Sequence, residues 1–531
     1  MATLTGPLPA LTQRMADHRR VAAAVLGALA ACGFAPLSLW PFALLGLAGL
    51  LALIACAGSV RGAAGAGWWF GLGHFIVGNN WIATAFTYQA EMPAWMGWVA
   101  VIGLAAFLAL YVMLAAMAAR AIARDNRLAL VPALAGSWTI AEWLRGWVFT
   151  GYPWNPLAMA ALGPDGRPGL ATVAAWTGTY GLSALVVLLA GAWWLAFSRP
   201  QPGRVGAALL ALPVAAMLLP RAVDRPPELT ALPYTLVQPD VRQDVLNDPA
   251  NFESQFRKTA LLSLPRQPGQ RRIVLWPESG VPDYLREGYP PYLYEQTTFA
   301  ADPVIARTRI GRVAGPNSLL MTGAVDLELR DGRAVAARNA VTVIDEAGTI
   351  RASYAKAHLV PGGEYLPLRW LLEPLGLSRL VAGSLDFWPG PGPRTLDLGA
   401  WGKAGVQICY EIIFSGQVVD PARRPDYIFN PSNDGWFGSF GPPQHLAQAR
   451  MRAIEEGLPV LRATTTGISA VIDAHGVVRA SIERHRAGRL DGLVPAARAP
   501  TPFARLGNML PLAIATLLLA LSIVAMRRRS G

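Results

Sequence analysis

The sequence is poor in charged residues for a chain of 531 residues. Only 15% of the residues are charged, whereas 53% are hydrophobic; a soluble globular domain carries about 25% charged residues. This composition argues against an ordinary soluble protein and indicates one that lies largely in a membrane. The formal net charge of +12 does not indicate nucleic-acid binding, because the Lys and Arg residues form no concentrated basic stripe.

Motifs of several enzyme classes are also missing. The sequence contains no G-x-S-x-G nucleophile motif, no Walker phosphate-binding loop and no dinucleotide-binding fingerprint. Its six histidines show no close spacing with Cys or Asp that suits zinc, so we expect neither a metal nor a cofactor. A cysteine–histidine catalytic pair that uses His358 or His445 stays open, because sequence spacing does not test it.

Long apolar runs are abundant. A run of about twenty apolar residues is long enough to cross the bilayer as a helix. We predict eight transmembrane helices, at residues 21–38, 42–58, 65–86, 95–118, 128–147, 170–197, 204–220 and 508–526.

Arginine residues flank these runs on alternate sides, and short connections rich in Lys and Arg stay in the cytoplasm. The cytoplasmic arginines are predicted to be Arg14, Arg19, Arg20, Arg61, Arg120, Arg124, Arg127, Arg199, Arg204 and Arg527 to Arg529. The connections around Ser38, Glu91 and Pro153 then face outside. So does the long polar segment 221–505, which we predict to be an extracytoplasmic domain.

Cysteine is scarce, with three in the chain. Cys32 and Cys56 fall in the first two predicted spans, which leaves Cys409 alone in the outer segment. A lone thiol in an oxidising compartment is kept either for its reactivity or as a buried packing residue, and the sequence leaves both open. Residues 19–33 also resemble a signal peptide with a lipobox at Cys32, but seven further predicted spans favour a transmembrane helix.

In the outer segment the long apolar runs give way to short β-rich runs, which are separated by turns and helical stretches. This pattern predicts a mixed α/β domain. The predicted strands are 232–238, 272–276, 318–325, 339–345, 404–409, 426–430, 459–464 and 469–473. Chemically reactive residues follow several of these strands: Glu278 follows the second and Cys409 ends the fifth. Open α/β sheets place their sites at strand ends, so these residues are candidates for one site.

Three stretches resemble, in chain order, the Glu, Lys and Cys motifs of the nitrilase superfamily of carbon-nitrogen hydrolases. They are WPES (276–279), YAKAHLVPGGEYLP (354–367) and GVQICYE (405–411). Together with the predicted helices they make the chain similar to the apolipoprotein N-acyltransferase family within that superfamily. Further similar stretches are EWLRGWVFTGYPW (142–154), SNDGWFG (432–438), GPPQH (441–445) and TPFARLGN (501–508).

The resemblance implies a fold and a division of the chain. We expect an α-helical transmembrane bundle of about eight helices (residues 1–220), followed by an extracytoplasmic α/β nitrilase-like domain with an α-β-β-α sandwich (221–505). A last transmembrane helix and a basic tail (506–531) complete the expected organisation.

The resemblance also implies a catalytic set. Glu278 is expected to be the general base, Lys356 the cation that stabilises the oxyanion, and Cys409 the nucleophile. Glu364 matches a supporting glutamate. Tyr410 and Glu411 match the residues after the family's cysteine, and the Tyr410 backbone N–H is an expected oxyanion donor. Glu364 and Glu411 could instead be structural partners of Lys356.

The chemistry of a thiol explains why these residue types belong together. A free thiol has a pKa of about 8.5 and is mostly protonated at neutral pH, so acyl transfer needs a base or a cation close to it. The expected thioester divides the transfer into two steps, with a phospholipid acylating Cys409 and an amine then taking the acyl chain.

Two further pairs are weaker candidates for substrate binding. Trp436 and Phe437 could contact an acyl chain or belong to the domain core. Glu142 and Arg145 lie three residues apart near a span end, among aromatic residues. For them we favour an ion pair on the helix surface within an interfacial aromatic belt, with recognition of a phospholipid headgroup as the alternative.

The expected function is the transfer of an acyl chain from a phospholipid, such as phosphatidylethanolamine, to the N-terminal amine of a diacylglyceryl apolipoprotein. The expected location is the bacterial inner membrane, with the catalytic domain in the periplasm. One alternative is a membrane-tethered amidase or nitrilase that passes its thioester to water. Another is a transporter or scaffold with a non-catalytic outer domain, but it leaves the Glu-Lys-Cys set unexplained.

Overall fold

A computed structural model describes residues 18–88, 93–199, 203–218, 226–267, 269–375 and 385–528. These residues fall into two compact units. The first lies within Met1–Ala83, Trp95–Ala222 and Pro502–Gly531, and the second within Thr84–Ala94 and Val223–Thr501. Arg14, Arg529 and the connection around Glu91 lie outside the described residues, as do the last two residues of the predicted span 204–220.

The first unit is helical, and each predicted apolar run coincides with a helix. Within the third of these runs, a short helix, Ile82–Ala85, follows the helix Val60–Gly78. The longer helices among the described residues are Arg19–Ala31, Trp40–Ala55, Val60–Gly78, Met96–Ala123, Arg127–Arg145, Ala174–Phe197, Gly203–Leu218 and Met509–Arg527, and a second short helix, Pro502–Leu506, precedes the last of them.

Glycines allow close packing in this unit. A Cβ atom on Gly67 would lie 2.8 Å from the Val112 carbonyl oxygen, and one on Gly73 would lie 2.0 Å from the Ala24 carbonyl oxygen. Side chains larger than hydrogen would push these helices apart. Packing of this kind is typical of helices in membranes, where small residues let backbones approach.

Three helical segments among the described residues are long and apolar enough to cross a membrane: Met96–Ala123, Leu170–Phe197 and Met509–Arg527. Trp40–Ala55 and Gly203–Leu218 are apolar but shorter. The predicted first span is too long, because its helix ends at Ala31. Cys32 and Cys56 therefore do not lie inside helices; each caps the end of one, and Cys56 is exposed.

The described residues of the second unit form two six-stranded sheets, in the strand orders β12-β1-β2-β3-β4-β5 and β11-β10-β9-β8-β7-β6. The first sheet comprises β1 (Leu229–Gln238), β2 (Arg272–Leu275), β3 (Ser318–Arg330), β4 (Arg333–Asp345), β5 (Ile350–Ala355) and β12 (Gly488–Pro495). The second comprises β6 (Thr395–Asp397), β7 (Lys403–Val406), β8 (Tyr427–Ser432), β9 (Val460–Thr464), β10 (Ser469–Ile472) and β11 (Val478–Ile482).

Both sheets follow the same plan of three parallel strands flanked by antiparallel ones. In strand β2 three apolar residues, Ile273, Val274 and Leu275, follow Arg272 without interruption. Ile273 and Leu275 join an apolar cluster that also contains residues of the second sheet, whereas Val274 points to a separate cluster with Ile310. Because successive side chains of a strand face opposite sides, β2 is buried on both faces.

The second unit also contains helices, some of which end at recognisable caps. They are Phe252–Ser263, Pro291–Thr297, Pro303–Ala314, Arg369–Leu372 and Gly441–Glu456. Asp302 caps the third through the backbone N–H groups of Val304 and Ile305. The last ends at Gly457, which adopts a left-handed backbone with φ of 65°.

All eight strands predicted in the outer segment coincide with strands of the structure. The extents differ, because β3 and β4 run on into a long hairpin and β7 ends at Val406, before the cysteine. Strands β5, β6, β11 and β12 were not predicted. The last of these contains two glycines and ends in proline, residues that are rare in strands.

Candidate active site

Three of the predicted site residues follow strand ends in the second unit. Glu278 lies just beyond β2, Lys356 directly follows β5, and Cys409 lies just beyond β7. All three side chains are buried. The two sheets thereby bring together groups that are far apart in the sequence.

The turn that carries Glu278 lies flat against β3. The Gly323 N–H donates to the Pro277 carbonyl at 3.1 Å. A Cβ atom on Gly323 would lie 2.7 Å from the Glu278 Cα atom. Only glycine therefore allows this turn to approach the neighbouring strand so closely.

Two carboxylates surround the Lys356 ammonium. Its Nζ lies 3.0 Å from Glu364 Oε2 and 3.5 Å from Glu278 Oε1. The Asn339 amide donates to both glutamates, at 2.7 Å to Glu278 Oε1 and 2.9 Å to Glu364 Oε1. The Asn433 backbone N–H donates to Glu278 Oε2 at 2.8 Å. We name these four side chains, Glu278, Asn339, Lys356 and Glu364, the carboxylate cluster.

The carboxylate cluster keeps its lysine charged. Burial alone would lower the pKa of Lys356, but Glu364 and Glu278 outweigh that effect and raise its pKa above the ordinary value. A permanent ammonium in a dry site is suited to stabilising negative charge that develops on a substrate oxygen.

Cys409 has a strained backbone and a weakly acidic thiol. Its φ of 50° lies in the left-handed region, which costs a non-glycine residue about 1–3 kcal/mol. Burial and the charge of Glu278 raise the pKa of the Cys409 thiol above its ordinary value, whereas Lys356 acts in the opposite direction. The thiol is therefore protonated at neutral pH, and its proton has to leave during the attack.

Glu411 connects the cysteine turn to the segment that follows Lys356. Its Oε1 accepts hydrogen bonds from the Tyr354 hydroxyl and the Ala357 N–H, both at 2.7 Å, and its Oε2 accepts from the Ile408 N–H at 2.8 Å. Burial raises the pKa of Glu411 to about 7, although these donors favour the charged form. These contacts place Glu411 as a brace between two strand ends.

The aromatic candidates have different surroundings. Tyr410 is buried, and its ring meets the edge of Phe414 at 5.2 Å between centroids. Phe437 packs against the apolar cluster between the sheets. Trp436 is half-buried and meets the edge of Tyr88 at 6.0 Å.

The histidines make contacts that do not involve the sulfur. His358 stacks on Phe414, with ring centroids 4.1 Å apart. The His445 Nε2 contacts the Cys409 carbonyl oxygen, and its Nδ1 contacts Asp434, each at 3.0 Å. These contacts favour Glu278 over either histidine as the partner of the thiol. Among the described residues, no group of three or more His, Cys, Asp or Glu side chains could hold a metal ion.

Several residues of the site were not singled out from the sequence. Asn339 begins a predicted strand, and Asn is depleted in strands, so its position was a usable signal. Arg462 interrupts an apolar predicted strand and is fully buried against Asp434. A charged residue inside a buried strand indicates a partner, but the sequence alone does not name it.

The predicted surface pair Glu142 and Arg145 belongs to the first unit and is wrong as a surface feature, because both side chains are buried. Arg145 Nη1 donates to the carbonyls of Tyr152 and Trp154, at 3.0 and 2.8 Å. Glu142 Oε1 accepts from the Leu157 N–H at 2.7 Å. Both side chains face inward and fasten the segment after their helix.

Two protein-family models match the chain. The model described as apolipoprotein N-acyltransferase N-terminal domain matches residues 26–192, and the model described as carbon-nitrogen hydrolase matches residues 248–490. A protein of Bradyrhizobium diazoefficiens named apolipoprotein N-acyltransferase is 38% identical over 534 residues, which covers 96% of this chain and 95% of that protein.

The chain belongs to the apolipoprotein N-acyltransferase family. Two further relatives with the family's name come from Rhodopseudomonas palustris and Brucella melitensis. The first is 36% identical, with 97% of this chain and 96% of the relative covered. The second is 35% identical, with 82% of this chain and 81% of the relative covered. Family membership therefore covers both units and not the hydrolase domain alone.

Solved structures match about half of the chain of this family member. An amidase from Nesterenkonia sp. is 20% identical, and the match covers 50% of this chain and 90% of the amidase, with a TM-score of 0.32. A carbon-nitrogen hydrolase from Helicobacter pylori is 13% identical, with 56% and 96% covered and a TM-score of 0.35.

Proposed function

We propose that the protein transfers an acyl chain from a membrane phospholipid to the N-terminal amine of the S-diacylglyceryl-cysteine of apolipoproteins, through a thioester on Cys409. The relatives' shared name supports the reaction class, because their similarity spans nearly the whole chain. The observation that carries the proposal is the thiol of Cys409 under the combined charges of Glu278 and Lys356 in one buried site.

In the first step, the Cys409 sulfur attacks the ester carbonyl of the phospholipid while Glu278 takes the thiol proton. Lys356 and the Tyr410 backbone N–H stabilise the oxyanion of the tetrahedral intermediate. The intermediate collapses to the thioester, and the departing lysophospholipid oxygen takes the proton from Glu278. A positioned base contributes roughly 10² to 10⁴ in rate and an oxyanion donor about 10² to 10³.

In the second step, the apolipoprotein amine attacks the thioester carbonyl. Glu278 takes a proton from the amine and returns it to the departing sulfur, so the products are an amide and the free thiol. Glu364 and Asn339 hold Glu278 and Lys356 in place, and Glu411 braces the turn that carries the nucleophile. Trp436 and Phe437 are proposed to contact the acyl chains.

We further propose that all eight long apolar helices cross the inner membrane of a bacterium, although some of them are short in the structure. In this arrangement residues 221–505 lie in the periplasm as an α-β-β-α sandwich, between the transmembrane helices of residues 1–220 and the last helix and tail in 506–531. The alternating arginines support the orientation. The apolar cluster shared by the two sheets supports the sandwich. Phosphatidylethanolamine is the proposed acyl donor.

Intact-mass spectrometry tests the proposed nucleophile. Full-length enzyme incubated with phosphatidylethanolamine should gain the mass of one acyl chain, and peptide fragmentation should place it on Cys409. Cys409→Ala should gain none, whereas the matched control Cys56→Ala should behave as wild type. An adduct that persists in Cys409→Ala would contradict the assignment.

A further inference from the structure

A second buried polar network, which shares no side chain with the carboxylate cluster, lies beside the backbone of Cys409. It consists of Ser432, Asp434, His445 and Arg462, and we name it the aspartate network. All four side chains are buried, three of them with no exposed surface. The network meets the cysteine at a backbone atom, because the His445 Nε2 lies 3.0 Å from the Cys409 carbonyl oxygen. This contact acts on the peptide group of the cysteine.

His445 is held as a neutral ring that donates from Nε2. A carbonyl oxygen only accepts hydrogen bonds, so Nε2 carries a proton. Burial and the charge of Arg462 lower the pKa of His445, which keeps the ring neutral and leaves Nδ1 as an acceptor. Arg462 Nη2 lies 3.0 Å from Nδ1 and supplies the donor. The arginine thereby fixes the tautomer that the contact with Cys409 requires.

The rest of the network fixes the orientation of the histidine ring. Arg462 Nη2 donates to both oxygens of Asp434, at 2.9 and 2.6 Å, and the Ser432 hydroxyl donates to Asp434 Oδ1 at 2.7 Å. The His445 ring also meets the edge of Phe437, with ring centroids 5.6 Å apart. A ring that is bonded at both nitrogens and packed against an aromatic side chain is a rigid support.

The direction of the Cys409 carbonyl determines the direction of the next backbone N–H. The peptide bond between Cys409 and Tyr410 is trans. Because a peptide group is planar, the carbonyl of Cys409 and the N–H of Tyr410 point in opposite directions within one plane. The φ of 50° at Cys409 is strained, so the surrounding structure has to hold this plane. A donor that holds the carbonyl therefore also aims the Tyr410 N–H.

We propose that His445 is a positioning residue that aims the Tyr410 N–H at the substrate oxygen. Its hydrogen bond holds the peptide plane against the strain at Cys409 and polarises the peptide group, which makes the N–H a stronger donor. The tetrahedral intermediates of both steps depend on this N–H. The inference rests on the proposed function, because it takes the Tyr410 N–H to be an oxyanion donor.

Three variants separate the hydrogen bond from the bulk of the ring. His445→Phe keeps a ring but removes the donor, whereas His445→Gln places an amide N–H near the position of Nε2. His358→Phe is the matched control, because His358 stacks on Phe414 with ring centroids 4.1 Å apart and phenylalanine keeps that stacking. His445→Leu also removes the donor and replaces the phenylalanine variant if that variant does not fold.

The first measurement reads the hydrogen bond without any reaction. The chain has three cysteines, so cysteine labelled with ¹³C at the carbonyl marks Cys409 alone in full-length enzyme that carries Cys32→Ala and Cys56→Ala. The infrared amide band of this carbonyl should move to higher wavenumber in His445→Phe, stay near its original position in His445→Gln and be unchanged in His358→Phe. An unmoved band in folded His445→Phe would overturn the contact.

The second measurement is the rate of each step: thioester formation from phosphatidylethanolamine, and thioester discharge by a lipopeptide with an N-terminal S-diacylglyceryl-cysteine. Because the oxyanion donor is misaligned and not removed, His445→Phe should slow both steps by a similar factor of about 10 to 10². His445→Gln should recover much of the lost rate, and His358→Phe should keep the wild-type rates. A moved band with an unchanged rate in either step would overturn the positioning role.

Failure of the proposed function gives a different result, in which the wild type forms no thioester. The donor is then tested with a fatty aldehyde: the Cys409 sulfur bonds to the aldehyde carbon, and the aldehyde oxygen takes the thiol proton at the oxyanion position. Binding is measured by the protection of Cys409 from alkylation. Weaker binding to His445→Phe than to wild type and His445→Gln would support the positioning role, and equal binding would overturn it.

Discussion

The two buried networks around Cys409 differ in their balance of charge. The carboxylate cluster sets two carboxylates, Glu278 and Glu364, against one ammonium, so its formal charge is negative. The second network, the aspartate network of Ser432, Asp434, His445 and Arg462, sets one carboxylate against one guanidinium, beside a histidine whose pKa is lowered by burial and by Arg462. Protonation stabilises a buried network that has excess negative charge, whereas it does not stabilise a network whose charges already balance.

Because of this difference in charge, the two networks have different chemical roles. Burial would raise the pKa of Asp434, but Arg462, which donates to both carboxylate oxygens, holds it below its ordinary value, so this carboxylate stays charged and is a poor base. Burial raises the pKa of the Cys409 thiol, and the charge of Glu278 in the carboxylate cluster raises it further. Proton transfer therefore belongs to the carboxylate cluster, and positioning belongs to the aspartate network.

Glu278→Gln breaks the first side of this comparison and should have the largest effect. The amide keeps the size of the side chain but is not a base, so thioester formation should slow by roughly 10² to 10⁴. Alkylation of Cys409 by a small reagent should become faster in the same variant, because loss of the negative charge lowers the pKa of the thiol. Both rates falling together would contradict the role of Glu278 as base.

Each network contains one cation, and removing it should have a different effect in each: Lys356→Met should slow the reaction, and Arg462→Met should lower the folding stability. Lys356→Met should slow thioester formation by about 10² to 10³, because the oxyanion loses its charged donor.

Arg462→Met leaves Asp434 buried and charged and should cost about 3–5 kcal/mol of folding stability, measured by thermal unfolding in detergent. If Arg462→Met is as stable as wild type, the positioning role of the aspartate network is wrong.

The pH dependence of Cys409 alkylation sharpens the electrostatic side of the comparison. Because the pKa of this thiol is raised, the thiolate is a small fraction at neutral pH and should increase about tenfold per pH unit between pH 7 and 9. The rate should still be rising at pH 9, where an ordinary thiol approaches its plateau. A plateau near pH 7 would indicate a pre-formed thiolate and remove the need for a base.

Arg145→Lys extends the comparison to a buried charge in the helical unit and should have the smallest effect. Lysine keeps the charge but not the planar guanidinium whose Nη1 donates to both carbonyls, so the Tyr152 to Trp154 segment should loosen, at a cost of about 1–3 kcal/mol. Thioester formation should fall several-fold. The control Arg61→Lys, at an exposed position, should retain the wild-type rate and stability.

Sequence patterns predicted the elements of the fold better than the contacts of the site. Long apolar runs and alternating strands have periods that a single chain displays, so helices such as Met96–Ala123 and strands such as β2 were found. Strand β12 was missed because its pairing with β1, far away in the chain, compensates for poor strand residues. Local propensity does not report such pairing.

The sequence motifs identified Glu278, Lys356 and Cys409 as candidates, but they did not identify the residues that bond to the groups of the site. Asn339 and Arg462 act through partners 61 and 28 residues away, respectively, which no local pattern reveals. The surface assignment of Glu142 and Arg145 was wrong because spacing along a helix gives the relative positions of two side chains, not whether that face is buried.

Discharge of the thioester tests the central claim most directly. Purified enzyme is first loaded with an acyl chain from phosphatidylethanolamine, and the loss of the Cys409 adduct is then followed by intact mass with and without a peptide that bears an N-terminal S-diacylglyceryl-cysteine. We expect the lipopeptide to accelerate the loss greatly and to become an amide of the same acyl chain. Decay at one rate with and without the lipopeptide would contradict the acyltransferase and indicate a hydrolase that passes its thioester to water.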